Sequence, residues 1–528
     1  MTERWLIFHQ RTLDLDCFLP HIKAKNPNSM VLITGLAWAS LDNQPTILGI
    51  SRTSQLRQKF YQYLVGKLHQ AYRSLGLDLL VLTKLQTDLP GLLRDLAITH
   101  LAYQPLGGWE EHKEEQALVQ LAGELHISLV PLPWNTLIQP DELPITLVTY
   151  PGQSSMPRTF TPFRKLVEQK PLDQYRFGQS APINCTPRNI TPLPLVNHLK
   201  QETQANLANH SKGLQQHQVN QLLDCLEAKT GTDRLHTWFD QSLAPSTYKE
   251  TRNGMGPGNY SSKLSPWLAF GTVQAGQVGK KVLDYQQVHG ANESTYWILF
   301  ELLWRDFFRF LGTEIGPMMY RPKGFKQRSS PGLQDSLPWK YKAGYVDSHL
   351  LSTEPNRLEL NRQKPADHTS MKPRTIATQN GIGGYKSYGQ DLWNRFLHWT
   401  KGNTGQPLVD SAMKEVAHRG TLSNRLRQCV ASWLIYDLAL PWWWGALWFE
   451  HNLLDYDPDS NWGNWAYLAG VGADPQESRR FNLEKQQHTF DPKGEYIQWV
   501  AQQPWNQADA TWIDGSELPA EIPLTAFQ

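Results

Sequence analysis

Apolar residues in the first 135 positions follow two alternating patterns. Short apolar runs typical of buried strands stand at 5–8, 30–34, 79–82, 99–103 and 128–132. Between them, apolar positions recur at helical spacing over 51–75, 91–97 and 110–125. Strands that alternate with helices favour a parallel sheet covered by helices on both faces. The sequence therefore predicts an α/β domain over 1–135, a doubly wound parallel sheet of the Rossmann-like class.

The pattern changes twice further along the chain. Prolines are frequent and periodicity is poor over 136–213, which favours a long linker wrapped between domains. Residues 214–505 follow a helical pattern and predict a large all-helical domain. A stretch rich in Gly, Pro, Lys and Ser interrupts this pattern at 316–392 and predicts an extended loop region. The last residues, 506–528, predict a peripheral tail.

Composition and charge narrow the class of protein. The chain has 528 residues and a net charge of +2, so a polyanion would need a local basic patch. Its 21 tryptophans are the compositional outlier. The 4 cysteines have no metal-binding spacing, which predicts no metal site, no disulfides and a reducing compartment.

Two segments bear on the membrane and the compartment. The residues before His9 lack the apolar core of a signal peptide. The stretch 430–449 is mostly apolar, but Asp437 and Pro441 interrupt it, so two short buried helices are predicted and not a membrane span. We expect a soluble, monomeric, cytoplasmic protein, with an organelle or the nucleus as alternative compartments.

The most informative stretch is 455–467, DYDPDSNWGNWAY, which holds three acids, two amides and four aromatic residues. It follows Trp442, Trp443, Trp444 and Trp448 closely. A flat redox ligand needs stacking walls and fixed hydrogen-bond partners at its edge, and this composition offers both. A tryptophan-rich core with an Asx turn is the alternative.

Two further motifs suggest contacts with a phosphate. In YSSKLSPW at 260–267, small hydroxyls before a helix suit a phosphate, or else an ordinary N-cap. In SNRLRQ at 423–428, Arg425 and Arg427 point to different helix faces, one toward an acid such as Asp455 and one toward a phosphate. Two solvated arginines are the alternative there.

Two motifs place polar groups near an apolar helix. In FELLWRD at 300–306, Glu301, Trp304 and Arg305 share one face, which predicts a polar pocket or else an internal ion pair. In YKETRNG at 248–254, Tyr248 is a candidate ligand contact, and a polar loop is the alternative.

Taken in order, these motifs resemble the photolyase/cryptochrome family. The matching segments are YKETRNG, YSSKLSPWLAFG, FELLWRDFFRF, TGQPLVDSAM, LSNRLRQCVASWL and a run that ends in DYDPDSNWGNWAYLAGVGADP. They cover most of 240–500, whereas the first 200 residues match loosely, through FRKLVEQ at 163–169. Gln428 and Tyr467 make the chain most similar to the cryptochrome DASH branch. The resemblance implies an antenna-type α/β domain followed by a helical FAD-binding domain.

The resemblance also implies a set of FAD contacts. Arg427 would pair with Asp455, Asp457 would accept a hydrogen bond from the flavin edge, and Asn461 would lie at flavin N5. The implied FAD-binding residues are Tyr248, Ser261, Ser262, Leu264, Ser265, Arg305, Asn424, Arg427, Asp455, Asp457 and Asn461.

A cavity for an extruded pyrimidine dimer is implied as well. Glu301 would share a proton with a pyrimidine carbonyl, and Trp304 and Tyr467 would pack against the bases. The implied catalytic residues are Glu301, Trp304, Asn461 and Tyr467. The residues implied to contact DNA are Arg252, Arg425 and Gln428.

Several positions depart from the family pattern. Trp465 and Trp442 match the two inner positions of the photoreduction chain, but the outer position is Gly389. Tyr388 and Trp393 are candidate substitutes, with a route through Trp443 or Trp444 as another. Core packing is the alternative for each additional tryptophan.

The N-terminal domain departs from the pattern too, since the family's opening FRxDLRxxD reads FHQRTLD here. A folate antenna, methenyltetrahydrofolate, is an implied second cofactor, with Glu110 and Glu111 at its site. The basic cluster at 321–328 is either a solvated loop or part of a DNA-facing rim.

The implied function is light-driven repair of cyclobutane pyrimidine dimers, mainly in single-stranded DNA, by electron transfer from reduced FAD. This is a photolyase-type enzyme activity. The alternative is a blue-light photoreceptor that binds nucleic acid and regulates without repair.

Overall fold

The computed structural model describes most of the chain: residues 3–9, 13, 29–37, 46, 48–74, 76–82, 85–152, 155–177, 186–187, 194–213, 223–224, 226–256, 258, 260–328, 330, 382–476 and 479–505. The predicted tail at 506–528 and most of the predicted loop region at 316–392 lie outside the described residues. So does 214–222, the predicted start of the helical domain.

The N-terminal part is built on a six-stranded sheet whose strand pairs are all parallel. The main path runs β3-β2-β1-β4-β5, and β6 pairs with β2 beside it. The strands are β1 (Glu3–His9), β2 (Ser29–Ala37), β3 (Leu79–Leu82), β4 (His100–Tyr103), β5 (Ser128–Pro131) and β6 (Thr186–Pro187). The predicted parallel sheet is confirmed.

Helices cover both faces of this sheet, as the alternation of strand residues requires. They are α1 (Gln55–Ser74), α2 (Leu85–Asp95) and α3 (Trp109–Glu124). In β1, Leu6 and Phe8 pack in one core with residues of α2 and α3. Ile7 faces the other side, where Phe60 of α1 joins a core shared with the helical part of the chain. The two parts are therefore joined by apolar packing along α1.

The segment predicted to be a linker carries regular structure. It includes β6, α4 (Phe160–Val167) and α5 (Pro194–Gly213). Thr203 of α5 accepts a hydrogen bond from the Val81 N–H of β3 at 2.9 Å, and Val196 packs in the α2–α3 core. Both β6 and α5 thus belong to the domain built on the parallel sheet.

The rest of the described chain is helical. Its elements are α6 (Gly231–Phe239), α7 (Tyr248–Thr251), α8 (Ser265–Ala269), α9 (Ala275–His289), α10 (Glu293–Ile315), α11 (Ile382–Thr400), α12 (Pro407–Arg419), α13 (Asn424–Ser432), α14 (Trp442–Asn452), α15 (Pro458–Leu468), α16 (Leu483–Phe490) and α17 (Glu495–Ala501). The last part of the predicted loop region, from Ile382 on, is helix α11.

Local sequence signals fix the ends of the helices that carry the site. Asn292 caps α10 in a capping box, Ser423 caps α13, and Asp457 caps α15. Pro441 separates α14 from α13 and the π-helical turn Trp433–Asp437 that follows it, as predicted for 430–449. No helix in the described part of the chain is long and apolar enough to cross a membrane.

Candidate functional site

A cavity of about 520 Å³ opens into the helical part of the chain. Its size lies within the range of small-molecule and cofactor sites. It is lined by fifteen of the residues singled out from the sequence: Tyr248, Arg252, Ser261, Ser262, Leu264, Ser265, Glu301, Trp304, Arg305, Asn424, Arg427, Gln428, Asp455, Asp457 and Tyr467. Elements that lie more than 200 residues apart in sequence thus converge on one site.

The serine turn before α8 forms one side of the cavity. Arg234, which is 1% exposed, donates to the Ser262 carbonyl at 2.7 Å and to the Ser261 carbonyl at 3.4 Å. These bonds hold the turn from behind. The N-cap of α8 is Leu264, which makes no side-chain cap bond, so the N-cap alternative for these serines is not what the fold uses. The hydroxyl of Ser262 receives only a long bond from the Leu264 N–H, at 3.4 Å.

The opposite wall carries the predicted pairing of Arg427 with Asp455. Arg427 Nη2 lies 2.7 Å from Asp455 Oδ2, and Arg427 Nε donates to the Leu422 carbonyl at 2.8 Å. The second oxygen of Asp455, Oδ1, is buried and has no protein partner. A buried acceptor on a cavity wall calls for a donor from a bound ligand.

Asp457 lies deeper and is held by a residue that sequence reasoning missed. Arg309 of α10 donates to Asp457 Oδ2 from Nη2 at 2.7 Å and from Nε at 3.2 Å. Burial raises the pKa of Asp457, but Arg309 and Arg305 outweigh it and hold that pKa well below its usual range. Asp457 is therefore a fixed anion beside the cavity. Helical spacing could have revealed Arg309, because it lies one turn after Arg305 on the same face of α10.

Asn461 lines a smaller adjoining cavity of about 100 Å³, which shares Arg427, Asp455 and Asp457 with the large one. Its Nδ2 donates to the Ala446 carbonyl at 3.0 Å. That bond fixes the amide group beside the same wall.

Trp465 lines this smaller cavity too, and its ring packs closely on Gly445 of α14. A Cβ at Gly445 would lie 2.2 Å from the ring, so only glycine allows this approach. Asp455, Asp457, Asn461 and Trp465 of the segment 455–467 thus line one small cavity, whereas Asp459 lies away from it, near Tyr320.

Glu301 and Trp304 stand at the mouth of the large cavity. Glu301 Oε1 forms an ion pair with Arg252 Nη2. The Trp304 ring meets Tyr467 edge to face at a centroid distance of 5.8 Å and stacks on Phe160 of α4 at 3.8 Å. Phe160 carried no signal in the sequence, because its partner lies more than 140 residues away.

Arg305 faces the same cavity from one turn deeper in α10. It donates to the carbonyls of Asn135 and Leu268, the latter at 3.4 Å. Burial, with a further contribution from Arg309, lowers its pKa to about 10.

The far end of the cavity holds a second group of residues that the sequence did not single out. Glu415 of α12 accepts a hydrogen bond from the Tyr496 hydroxyl at 2.7 Å and pairs with Arg419 at 3.3 Å. Burial raises the pKa of Glu415 to about 7. Tyr260 and Lys263 line the same end.

Arg425 is the one predicted DNA contact that does not line the cavity with the others. It donates to Asn253 Oδ1 at 2.9 Å and its guanidinium lies 5.0 Å from the Phe490 ring. It is half-buried. The prediction that Arg425 and Arg427 face opposite ways is confirmed.

The tryptophans that were predicted to form one chain fall into two groups of direct ring contacts. Among the described residues, Trp442 makes its ring contact with Trp462, at 5.7 Å. Trp465 instead meets Trp399, at 6.3 Å. The Trp399 ring lies 5.9 Å from the Phe396 ring, which in turn lies 5.2 Å from the Trp444 ring.

Trp393 stands at the end of this second group. It meets Trp444 at 5.8 Å and is 1% exposed. The two candidates Trp442 and Trp393 therefore lie in different aromatic groups, and the group that reaches Trp465 does so through Trp399.

The two acids expected to mark a folate site are already engaged. Arg52, which is 5% exposed, forms a two-point ion pair with Glu110 and lies 3.5 Å from Glu450. The cavity beside Glu110 and Glu111 has a volume of about 20 Å³, room for about one water molecule. These residues therefore do not fit a folate.

Comparisons with known proteins agree with this architecture. The chain matches the family model described as the FAD binding domain of DNA photolyase over residues 297–513 and the model described as DNA photolyase over residues 31–184. It is 34% identical to cryptochrome DASH of Gloeobacter violaceus, over 86% of this chain and 76% of the relative. It is 31% identical to cryptochrome DASH of Synechocystis, over 87% of this chain and 81% of the relative.

A solved structure shows the same likeness. The cryptochrome of Synechocystis superposes with a TM-score of 0.67 at 28% identity, over 94% of this chain and 88% of that one. The fold and the cavity thus define a flavoprotein with a parallel-sheet domain and a helical FAD-binding domain. The chain belongs to the photolyase/cryptochrome family, among relatives of the DASH type.

Proposed function

We propose that this protein repairs cyclobutane pyrimidine dimers, mainly in single-stranded DNA, in a light-driven reaction that uses FAD. The observation that carries the proposal is the convergence of Glu301, Trp304 and Tyr467 at the mouth of the cavity. An acid and two aromatic rings at an opening suit a pair of extruded bases, which need stacking surfaces and a polar partner for their carbonyl groups.

The residues deeper in the cavity fit FAD. The serine turn held by Arg234 presents hydroxyl groups, Asp455 presents a buried acceptor without a protein partner, and Asp457 is a fixed anion. The serine hydroxyls would hold the phosphates. Asp455 and Asp457 would accept hydrogen bonds from polar groups of the cofactor, and Asn461 would contact the flavin edge. When bound and reduced, FAD supplies the electron that light transfers to the dimer.

The chain's own side chains act on the substrate end. Burial raises the pKa of Glu301, and the neighbouring Arg252 and Trp297 oppose this rise. A carboxyl group with a raised pKa can donate to a carbonyl oxygen on which negative charge develops. Trp304 and Tyr467 would orient the bases, since their mutual contact and the stack of Trp304 on Phe160 fix both rings.

The charge at the cavity mouth favours single strands over duplexes. Arg252 is paired with Glu301, and Arg479, which lies 4.7 Å from the Tyr467 ring, is paired with Asp474. In the free protein these pairs leave little net positive charge at the mouth, so a backbone phosphate must displace a carboxylate to bind there. Extrusion of bases from a duplex costs a few kcal/mol of pairing and stacking, which a weak grip on the backbone does not offset.

The test is illumination of the purified, reduced protein with a single-stranded oligonucleotide that contains one dimer. We expect loss of the dimer in the light, none in the dark, and a lower yield per photon in Glu301→Ala. Intact dimer after illumination with stoichiometric FAD-loaded protein would rule out the repair activity.

A second function, light sensing without repair, is favoured by one observation. The stack of Trp304 on Phe160 covers one face of the indole, so a dimer has only the other face to pack against. If the oligonucleotide binds and no dimer is lost, a light-dependent change in nucleic-acid affinity would support this alternative.

A further inference from the structure

We propose that Arg252 exchanges Glu301 for a backbone phosphate when a damaged strand binds, and that Glu301 takes up a proton from solvent in this exchange. Arg252 is in this view a positioning residue that couples strand binding to the state of the acid. The inference rests on the proposed repair function. It says that Glu301 is protonated when the strand binds, before any light is absorbed.

The position of Arg252 allows such an exchange. It follows the four-residue helix α7 and reaches across the cavity mouth to Glu301 on α10. Its side chain is 18% exposed and that of Glu301 is 28% exposed, so a strand at the mouth can reach both. Beneath it, the Trp297 ring lies 5.6 Å from the guanidinium. An aromatic face supports a cation without fixing its direction, so a rotation toward a phosphate keeps this contact.

Arg252 is the cation that opposes the raised pKa of Glu301. Two other arginines nearby lack an ion-pair partner among the described residues, but each is held elsewhere: Arg305 donates to main-chain carbonyls and Arg425 to Asn253. Lys249 of α7, 5.4 Å from the Trp297 ring, is paired with Glu293. On α4, Arg164 lies over Phe300 and is paired with Glu168. Tyr248 of α7 is a neutral neighbour whose own pKa is raised by burial and by Glu301.

The consequence follows from electrostatics. Burial raises the pKa of Glu301, and Arg252 is the first of the groups that oppose it. When the guanidinium moves to a phosphate, burial remains and a negative phosphate comes near. Both favour the neutral acid, so the carboxylate takes one proton from water. The cation changes its anionic partner and no charge is left unpaired.

This exchange has a chemical advantage. In the free protein the carboxylate is paired, which keeps the mouth of the cavity stable. In the complex the neutral acid presents an O–H to a pyrimidine carbonyl oxygen before an electron arrives there. Release of the strand lets Arg252 return, and Glu301 loses its proton again.

The test is calorimetric titration in the dark with a dimer-containing single strand, near pH 7, in buffers of different ionisation enthalpy. The dependence of the heat on the buffer gives the number of protons taken up. We expect uptake by the wild-type protein, loss of it in Glu301→Gln, a smaller value in Arg252→Gln and near wild-type uptake in Arg252→Lys. Lys280→Gln, which alters an exposed pair far from the mouth, is the matched control and should behave like wild type.

Binding without proton uptake, or equal uptake by Glu301→Gln, would overturn the exchange while leaving the repair proposal intact. Absence of binding to any dimer-containing strand would count against the repair proposal, and with it the exchange. The measurement requires no light and no repair, so the two failures are distinguishable.

Discussion

Arg427 and Asp455 form an ion pair across the wall of the cavity, with Nη2 and Oδ2 2.7 Å apart. The Asp455 side chain is 5% exposed and its second oxygen has no protein partner. The pair therefore does two things: it holds α13 against the chain before α15, and it leaves one acceptor oxygen for a ligand.

Asp455→Ala is expected to weaken FAD retention. The substitution removes an acceptor that a donor group of FAD would meet, and a hydrogen bond to a charged group contributes about 1.5–3 kcal/mol. FAD content after gel filtration measures the effect. Asp284→Ala is the control, because Asp284 pairs with Lys280 on the exposed surface of α9. Such a surface pair contributes about 1 kcal/mol or less, so equal FAD loss in both variants would refute the assignment.

The aromatic contacts predict which tryptophans carry electrons during photoreduction. Trp465→Phe should slow photoreduction most, because Trp465 is beside the FAD wall. Trp399→Phe should slow it more than Trp442→Phe, since Trp399 is the described tryptophan in ring contact with Trp465. The rate is measured as loss of oxidised-flavin absorbance under blue light with a thiol reductant, at equal FAD content. If Trp442→Phe slows photoreduction more than Trp399→Phe, direct ring contact with Trp465 does not determine the path of the electron.

The Arg52 ion pairs predict that no folate binds beside Glu110 and Glu111. Purified protein mixed with methenyltetrahydrofolate should keep its FAD but acquire no near-ultraviolet band that survives gel filtration. Retention of about one folate per chain, lost in Glu110→Gln, would contradict this expectation. Arg52→Ala is expected to lower the apparent Tm, because it leaves Glu110 and the buried Glu450 without their cation.

Glu415 predicts a pH dependence of stability. Burial raises its pKa to about 7 from the usual 4.5 of a glutamate carboxyl, so between these values the folded protein binds a proton that the unfolded chain releases. Stability from this group is full below about pH 4.5 and is lost as the pH rises to 7. One pKa unit corresponds to about 1.4 kcal/mol, which places the total near 3 kcal/mol.

Glu415→Gln removes this dependence because the amide cannot ionise. Urea unfolding of both proteins at several values between pH 5 and pH 8 measures it. Relative to the variant, the wild type should lose stability as the pH rises. Parallel profiles would show that Glu415 titrates normally in the folded protein.

Much of this protein follows from local sequence. The apolar periods place five of the six strands of the sheet within a few residues, because burial on two faces demands aliphatic runs, and they miss only the two-residue β6. Helical spacing puts Glu301, Trp304 and Arg305 on one face, and Pro441 ends one helical stretch before another begins. The motif at 455–467 by itself indicates Asp455, Asp457 and Asn461 as candidate ligand contacts. Each of these is a short-range relationship that the geometry of a single helix or strand fixes.

Other features were decided only when distant elements packed. Four contacts join residues far apart in sequence: Arg309 with Asp457, Phe160 with Trp304, Trp399 with Trp465, and Arg52 with Glu110. Periodicity fixes which face of an element is buried, but the partner across that face depends on how two elements dock. For that reason the sequence by itself determined the fold class and most of the cavity lining, and the tertiary structure decided which charges are paired, which ring each tryptophan meets and how little space adjoins Glu110 and Glu111.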